Sequence, residues 1–175
     1  MSQTAASAVI ITALLFTGAQ KADAAISSEA FVEKATIANL FEIESSKLAL
    51  DKSHDHTVRK FAERMIDDHE KASDKLEETL EVSDVDMELP TTLDQEHRAT
   101  LDKLRGISTE DEFNRQYVAA QARGHEQAVS MFRDYAKNGK DEALREFAKD
   151  VLLTLESHHE GIKEIKTEEM KTSTQ

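Results

Sequence analysis

Three histidines occupy positions where the helical repeat of the sequence calls for an apolar side chain. His69 follows Met65 at a spacing of four residues. His158 follows Leu155 at a spacing of three, and His125 continues a third apolar stripe. Because residues three and four apart lie on one face of a helix, each imidazole is expected to face the protein interior. Imidazole is the commonest metal ligand in proteins, so three of them on separate helices predict a metal site.

Two glutamates of an earlier helical segment complete the candidate ligand set. Glu44 lies between Phe41 and Leu48 at spacings of three and four, and Glu42 lies one face over. A buried carboxylate without a partner is costly, so an inward-facing Glu44 would need a cation or hydrogen-bond donors. The sequence has no cysteine, which restricts the ligands to imidazole and carboxylate. Such a set predicts a transition metal ion, with zinc the first choice and iron or manganese the alternatives.

The heights of these residues along their helices test whether one site can hold them. With a rise of about 1.5 Å per residue, His69 and His125 fall at nearly the same level, and His158 within about 6 Å of it. Glu42 falls about 7 Å away and Glu44 about 10 Å away, so helix tilt or an offset hairpin would have to bring them closer. The alternative is that each histidine is a core residue hydrogen-bonded to a nearby carboxylate, such as Asp68.

The other four histidines are weaker candidates. His54 and His56 fall in an interhelical turn, and His97 falls on the polar side of a short helix. His159 forms a Glu156-x-x-His159 pair, the spacing used in diiron bundles, but its stripe also carries a lysine. All four are expected to be exposed.

Composition predicts one helical domain. The chain has 175 residues, one proline, five glycines and 33% charged residues, which favours long helices over a turn-rich β fold. Its formal net charge of −13 repels phosphate backbones and anionic lipid surfaces, so nucleic acid is not expected as a partner. The sequence contains no phosphate-binding loop, nucleophile elbow or H-E-x-x-H motif, and no catalytic residues are predicted.

The amino-terminal segment is interpreted as a secretory signal peptide covering residues 1–24. Residues 8–16 form an apolar run too short to span a bilayer, and Ala22-Asp23-Ala24 has the small-x-small form of a cleavage site. A buried or amphipathic helix is the alternative, since this segment has no basic residue before the apolar run. The mature protein is expected in the periplasm or the medium, without stable membrane insertion after cleavage.

The remaining residues, 25–175, are expected to form an all-α, ferritin-like four-helix bundle. Four long segments show helical periodicity, at about residues 28–50, 55–80, 113–136 and 141–164. Residues of about 81–108 are expected to form a long crossover that contains one short helix. Capping boxes at Thr92-x-x-Gln95 and Thr109-x-x-Glu112 predict where the short helix and the third long helix begin. The tail, about 166–175, is expected to fray.

Several segments resemble, in order, the helices of domain-of-unknown-function family 4142, an exported bacterial family placed among the ferritin-like bundles. The segments are FVEKATIANLFEIESSKLAL, VRKFAERMIDDHEKASDKL, YVAAQARGHEQAVSMF and REFAKDVLLTLESHH, and the resemblance covers about residues 29–162. It implies that the family's recurrent polar positions are Glu42, Glu44, the Asp68-His69 pair, His125 and His158. Leu153 stands where the family usually has proline, which implies a straighter last helix. The family brings no established activity.

The functional hypothesis is an exported bundle that binds a transition metal, in metal homeostasis or envelope stress. The alternative is a non-catalytic structural or protein-interaction bundle without metal, whose protein partner is unknown. A nonhaem iron redox enzyme is a third possibility. It is weakened because diiron centres use Glu-x-x-His pairs, whereas Ile66 and Leu155 precede His69 and His158 by three residues.

Overall fold

The structure, a computed structural model, describes residues 26–172, with side chains as far as Ile165. Five α-helices and no strand make up this part of the chain: α1 (Ser28–Lys52), α2 (His56–Leu80), α3 (Gln95–Arg105), α4 (Glu110–Asn138) and α5 (Glu142–Thr172). None of these helices is long and apolar enough to cross a membrane. The interpretation of residues 1–24 as a signal peptide lies outside the described residues. The fraying expected beyond residue 166 also stays a prediction, although helical backbone continues to Thr172.

Side chains at the helix starts explain where the helices begin. Ser27 caps α1, and its hydroxyl accepts a hydrogen bond from the Ala30 amide. The capping box predicted at Thr92 is wrong, because Asp94 caps α3. A carboxylate directly before the first helical residue accepts an amide hydrogen bond and also carries the charge that the positive end of the helix dipole favours.

The helices form two antiparallel hairpins, α1 with α2 and α4 with α5, and these pack so that α1 contacts α4 and α2 contacts α5. Glu110 at the start of α4 accepts hydrogen bonds from the amides of His54 and Asp55, so α4 begins beside the α1–α2 turn. The segment after α2 therefore runs back along the whole bundle, with α3 packed on α1 and α4. The predicted four-helix bundle, with one long crossover containing a short helix, is confirmed.

The core consists of two apolar clusters with a polar layer between them. One cluster surrounds Tyr117 near the α1–α2 turn. The other surrounds Phe31 at the opposite end, where the aromatic ring stacks on Tyr135. On each long helix, buried polar residues lie between the stretches that enter the two clusters; they include Asn39, Glu42, His69, Gln121, His125 and His158. The fold thus brings the candidate residues of four helices to one level.

Asp141 connects the crossover to the α4–α5 turn. One of its carboxylate oxygens accepts from the Leu144 amide in the first turn of α5, and the other accepts from the Asp84 amide. We expect Asp141→Ala to lower the free energy of unfolding by about 1–3 kcal/mol, because two amides lose their acceptor. Urea denaturation measures this loss.

Thr109→Ala is the matched control, since Thr109 precedes α4 without a side-chain hydrogen bond to it. Its expected loss is below about 0.5 kcal/mol. Equal losses in the two variants would contradict the role assigned to Asp141.

Candidate metal centre

His69 of α2, His125 of α4 and His158 of α5 meet on the bundle axis. Their ring centroids are 5.3–5.7 Å apart, and one nitrogen of each ring lies within 4.8 Å of a nitrogen of the other two. The three side chains are at most 4% exposed. These are the three histidines that the apolar spacing predicted to face inward, and the structure brings them together. They are called the His triad below.

Asn39 of α1 orients the His69 ring. The Asn39 side-chain oxygen lies 2.8 Å from His69 Nδ1. Its amide nitrogen faces Ser73, whose hydroxyl donates to the His69 carbonyl and so accepts from the amide. The Asn39 oxygen therefore points at the ring, and His69 Nδ1–H donates to it. The lone pair of His69 is left on Nε2, which is buried and has no hydrogen-bond partner among the described residues.

Acceptors on the outer edges of the other two rings fix their tautomers as well. His125 Nδ1 lies 3.0 Å from the Gln121 carbonyl oxygen and donates to it. His158 Nε2 lies 2.8 Å from a carboxylate oxygen of Asp68. Partial burial opposes ionisation of Asp68, but hydrogen bonds and charge from His158 and Arg64 hold its pKa below the usual value. Asp68 is thus ionised at neutral pH, and His158 Nε2–H donates to it.

With these tautomers, neutral imidazoles turn three lone pairs toward one another. His125 Nε2 and His158 Nδ1 are 3.3 Å apart, and neither carries a hydrogen when both rings are neutral. Two imidazole nitrogens on one tetrahedral zinc ion are about 3.3–3.4 Å apart, given bonds of about 2.0–2.1 Å. The geometry of this pair therefore fits a shared ion.

Burial keeps the His triad neutral. It lowers the pKa of His69 well below the ordinary value, and protonation of either neighbouring ring would oppose protonation of His69 further. Burial and the charge of His158 lower the pKa of His125 to about 3. Burial also lowers the pKa of His158, against the opposing hydrogen bond to Asp68. At neutral pH the nitrogens are therefore free to bind a cation without first losing a proton.

Glu42 is buried beside the His triad but on the outer side of His125. Its Oε1 lies 3.8 Å from His125 Nδ1, the nitrogen that faces away from His158. Its Oε2 is buried without a hydrogen-bond partner in the described part of the chain. Burial raises the pKa of Glu42 to about 8, although hydrogen bonding by Gln121 opposes the rise. The carboxyl is therefore mostly protonated at neutral pH. The sequence-based assignment of Glu42 as a direct metal ligand stays a prediction.

Glu44 does not reach the site. Its side chain is exposed, so the prediction that it faces inward is wrong. The spacing of Glu44 from Phe41 and Leu48 gave a wrong prediction because α1 buries two faces. Phe41 packs edge-on against the His97 ring of α3, whereas the face toward the bundle axis carries Asn39 and Glu42. Glu44 shares the stripe that turns toward α3 and lies at its solvent edge.

The residues that orient the His triad were largely missed from the sequence. No sequence pattern assigns a role to Asn39 or Gln121, and Asp68 is predicted only as a nearby carboxylate that could accept a hydrogen bond from a core histidine. A signal for Asn39 was present, since it lies four residues after Ala35 and three before Glu42 on one stripe. The Gln121 contribution comes from its backbone carbonyl, which no side-chain pattern can indicate.

The remaining histidines lie away from the His triad. His54 is exposed and pairs with Glu110, and His56 is exposed in the first turn of α2. His97, which pairs with Asp94, and His159 on α5 are half-buried, so the prediction of exposed side chains is wrong for these two.

The chain matches the family described as a domain of unknown function, DUF4142, over residues 15–165. It belongs to the DUF4142 family. Among curated proteins no relative matches it. The family match confirms the resemblance predicted from the helix segments and adds no activity.

Two solved structures share the fold of this DUF4142 chain. One is CopM in its Cu(II)-bound form, with a TM-score of 0.65 and 19% identity over 79% of this chain and 95% of that one. The other is a DUF305 fragment from Deinococcus radiodurans, with a TM-score of 0.67 and 16% identity over 78% of this chain and 92% of that one. At these identities the likeness concerns the helical bundle.

The buried carboxyl of Glu42 predicts a pH dependence of stability in the metal-free protein. The pKa of Glu42 in the folded state, about 8, exceeds the ordinary value of 4.5. Its contribution to the free energy of unfolding is therefore complete below pH 4.5 and is lost as the pH rises to about 8. Between about pH 6.5 and about pH 7.5, the wild type should lose about 1 kcal/mol more unfolding free energy than Glu42→Gln, which cannot ionise. Denaturant titrations at several pH values measure the difference.

Glu44→Gln is the matched control, since it changes an exposed carboxylate two residues away on the same helix. Its pH profile should parallel that of the wild type. Parallel profiles for Glu42→Gln and the wild type would show instead that Glu42 ionises normally.

Proposed function

We propose that this DUF4142 bundle binds one transition metal ion through His69 Nε2, His125 Nε2 and His158 Nδ1. The observation that carries the proposal is that three buried imidazole nitrogens turn their lone pairs toward one another. When the three rings are neutral, none of these nitrogens carries a hydrogen that could bond to another. An unsatisfied buried acceptor costs about 1–3 kcal/mol, and one cation would satisfy all three.

The outer hydrogen bonds support the same proposal. In protein metal sites, a ligating histidine almost always donates its other N–H to a carboxylate, a carbonyl or water, which fixes the tautomer and raises the basicity of the ligand. Here His69 donates to an amide oxygen, His125 to a backbone carbonyl and His158 to a carboxylate. The chain thus supplies an acceptor for every ring.

The donor set favours a borderline or soft ion over a hard one. Three imidazoles suit zinc and copper, whereas manganese and magnesium prefer oxygen ligands. Zinc remains our first proposal because a trigonal set of nitrogens with one open position is a common zinc geometry. Copper is the second candidate, since the structurally similar CopM is known in a Cu(II)-bound form and copper binds nitrogen ligands more tightly than zinc.

The proposed setting is the periplasm or the medium, where the protein would take part in metal homeostasis or in envelope stress. The signal-like residues 1–24 support export. This function needs only that the three imidazoles bind the ion, and it involves no catalysed reaction. The competing proposal, a metal-free structural or interaction bundle, predicts a different outcome in the following experiment.

Elemental analysis of protein purified without a histidine tag tests the proposal. We expect close to one zinc or copper ion per wild-type chain. His69→Ala and His125→Ala should abolish stoichiometric metal and the rise in melting temperature that added metal causes, because only the folded state has the site. His54→Ala and His159→Ala are controls that alter histidines outside the His triad and should keep both. A metal-free wild type that melts at the same temperature with Zn²⁺ or Cu²⁺ would favour the metal-free bundle.

Asn39→Ala separates orientation of a ligand from ligation. The substitution leaves all three imidazoles in place but removes the acceptor of His69 Nδ1–H. We expect a loss of about 10- to 100-fold in metal affinity, with the stoichiometry retained. Competition with a chromophoric chelator measures it. Wild-type affinity in Asn39→Ala would contradict the role of the Asn39–His69 hydrogen bond.

A further inference from the structure

A groove between α1 and α4 reaches the His triad from the protein surface. It has a volume of about 1020 Å³, and its inner end is lined by Asn39, Glu42, His69 and His125. Its outer end is lined by exposed residues of α1, α3 and α4. Apolar clusters lie above and below the polar layer, and the His158 ring on the far side is covered by its hydrogen bond to Asp68.

Glu42 lines the groove beside the outer nitrogen of the His125 ring, and Gly124 leaves room for its carboxyl group. A Cβ atom built at Gly124 would lie 2.9 Å from Glu42 Oε1, closer than real contacts allow. The carboxyl group is only 4% exposed, and its Oε2 lacks a hydrogen-bond partner in the described structure. An oxygen atom with free acceptor capacity is thus held in the groove beside the His triad.

The outer part of the groove favours cations. Its lining includes the carboxylates of Asp94, Glu96, Glu126 and Asp134, against the basic side chains of Lys34 and Arg123. Acidic side chains therefore outnumber basic ones, and a cleft of net negative charge raises the local concentration of cations and their rate of association. His97 adds an imidazole, half-buried at the same outer end.

We propose that the α1–α4 groove is the route by which the metal ion reaches the His triad, and that Glu42 is the last oxygen ligand the ion meets before the imidazoles. The inference rests on the proposed metal binding and adds the path by which the ion reaches the site. Glu42 acts on the path of the ion and is distinct from the three nitrogens that hold it at the end. The route therefore determines the rates at which the ion enters and leaves. The affinity for the ion is determined by the His triad.

Gly124→Ala tests the route, because its methyl group would displace the Glu42 carboxyl within the groove. Stopped-flow mixing with Zn²⁺ or Cu²⁺ alone, whichever ion the wild type takes up, measures the association rate; capture by excess chelator measures dissociation. We expect both rates to fall by about tenfold, with the affinity unchanged within about twofold, since a barrier on the path leaves the end states alone. Glu42→Gln, which keeps the volume but cannot offer a carboxylate to the ion, should also slow association.

Gly161→Ala is the matched control, since it makes the same change in α5, where a Cβ meets nothing within 4 Å. Its rates should equal those of the wild type. A second pair tests the outer charges without touching the core: Glu96→Lys should slow association by about threefold at low salt, and Glu63→Lys, exposed on α2, should not.

Three outcomes would overturn the inference. Wild-type rates in Gly124→Ala and Glu42→Gln would place the route elsewhere. Weaker binding caused only by faster dissociation would place Glu42 on the bound ion and off the path. If Gly124→Ala does not fold, equal rates for Glu96→Lys and Glu63→Lys would reject the route. A wild type that takes up no ion would instead reject the proposed function itself, and the route with it.

Discussion

The hydrogen bonds on the outer edges of the three imidazoles determine the character of the bundle interior. Each one places a proton on the nitrogen that faces away from the axis, so the lone pairs must face inward. A core of this kind is less stable by itself than an apolar one, because buried acceptors without donors cost free energy. The two apolar clusters on either side supply the burial that makes the polar layer tolerable. The layer therefore adds specificity rather than stability.

The same layer sets the register of the helices. Asn39 bonds α1 to α2, Gln121 bonds α4 to Ser45 of α1, and His158 bonds α5 to α2 through Asp68. A shift of any helix by one residue would rotate these groups by about 100° and separate several polar pairs at once. Apolar packing alone tolerates many side-chain exchanges, whereas paired polar groups in a core favour one arrangement. Register and site geometry thus depend on the same bonds.

Sequence spacing predicted the bundle and the His triad because both follow from the 3.6-residue period. His69, His125 and His158 lie on stripes that face the other long helices of the bundle, so the stripe identifies the interior. The same reasoning gave a wrong result for Glu44, because α1 buries a second face against α3. An apolar stripe shows that a face is covered but does not show which helix covers that face. The Asn39–His69 and Gln121–Ser45 hydrogen bonds depend on interhelical distances of 3 Å or less, which spacing along one helix does not contain.

The placement of the carboxyl groups separates this centre from a diiron site. In diiron bundles, carboxylates bind and bridge the ions, which compensates their charge and leaves positions for oxygen. Here the carboxyls of Asp68 and Glu42 lie on the outer sides of His158 and His125, one ring away from the common point. The ionised Asp68 can compensate the charge of a bound ion through the His158 ring, but neither carboxyl can bridge two ions in this arrangement. The arrangement therefore fits the proposed single ion held by three neutral nitrogens better than two ions bridged by carboxylates.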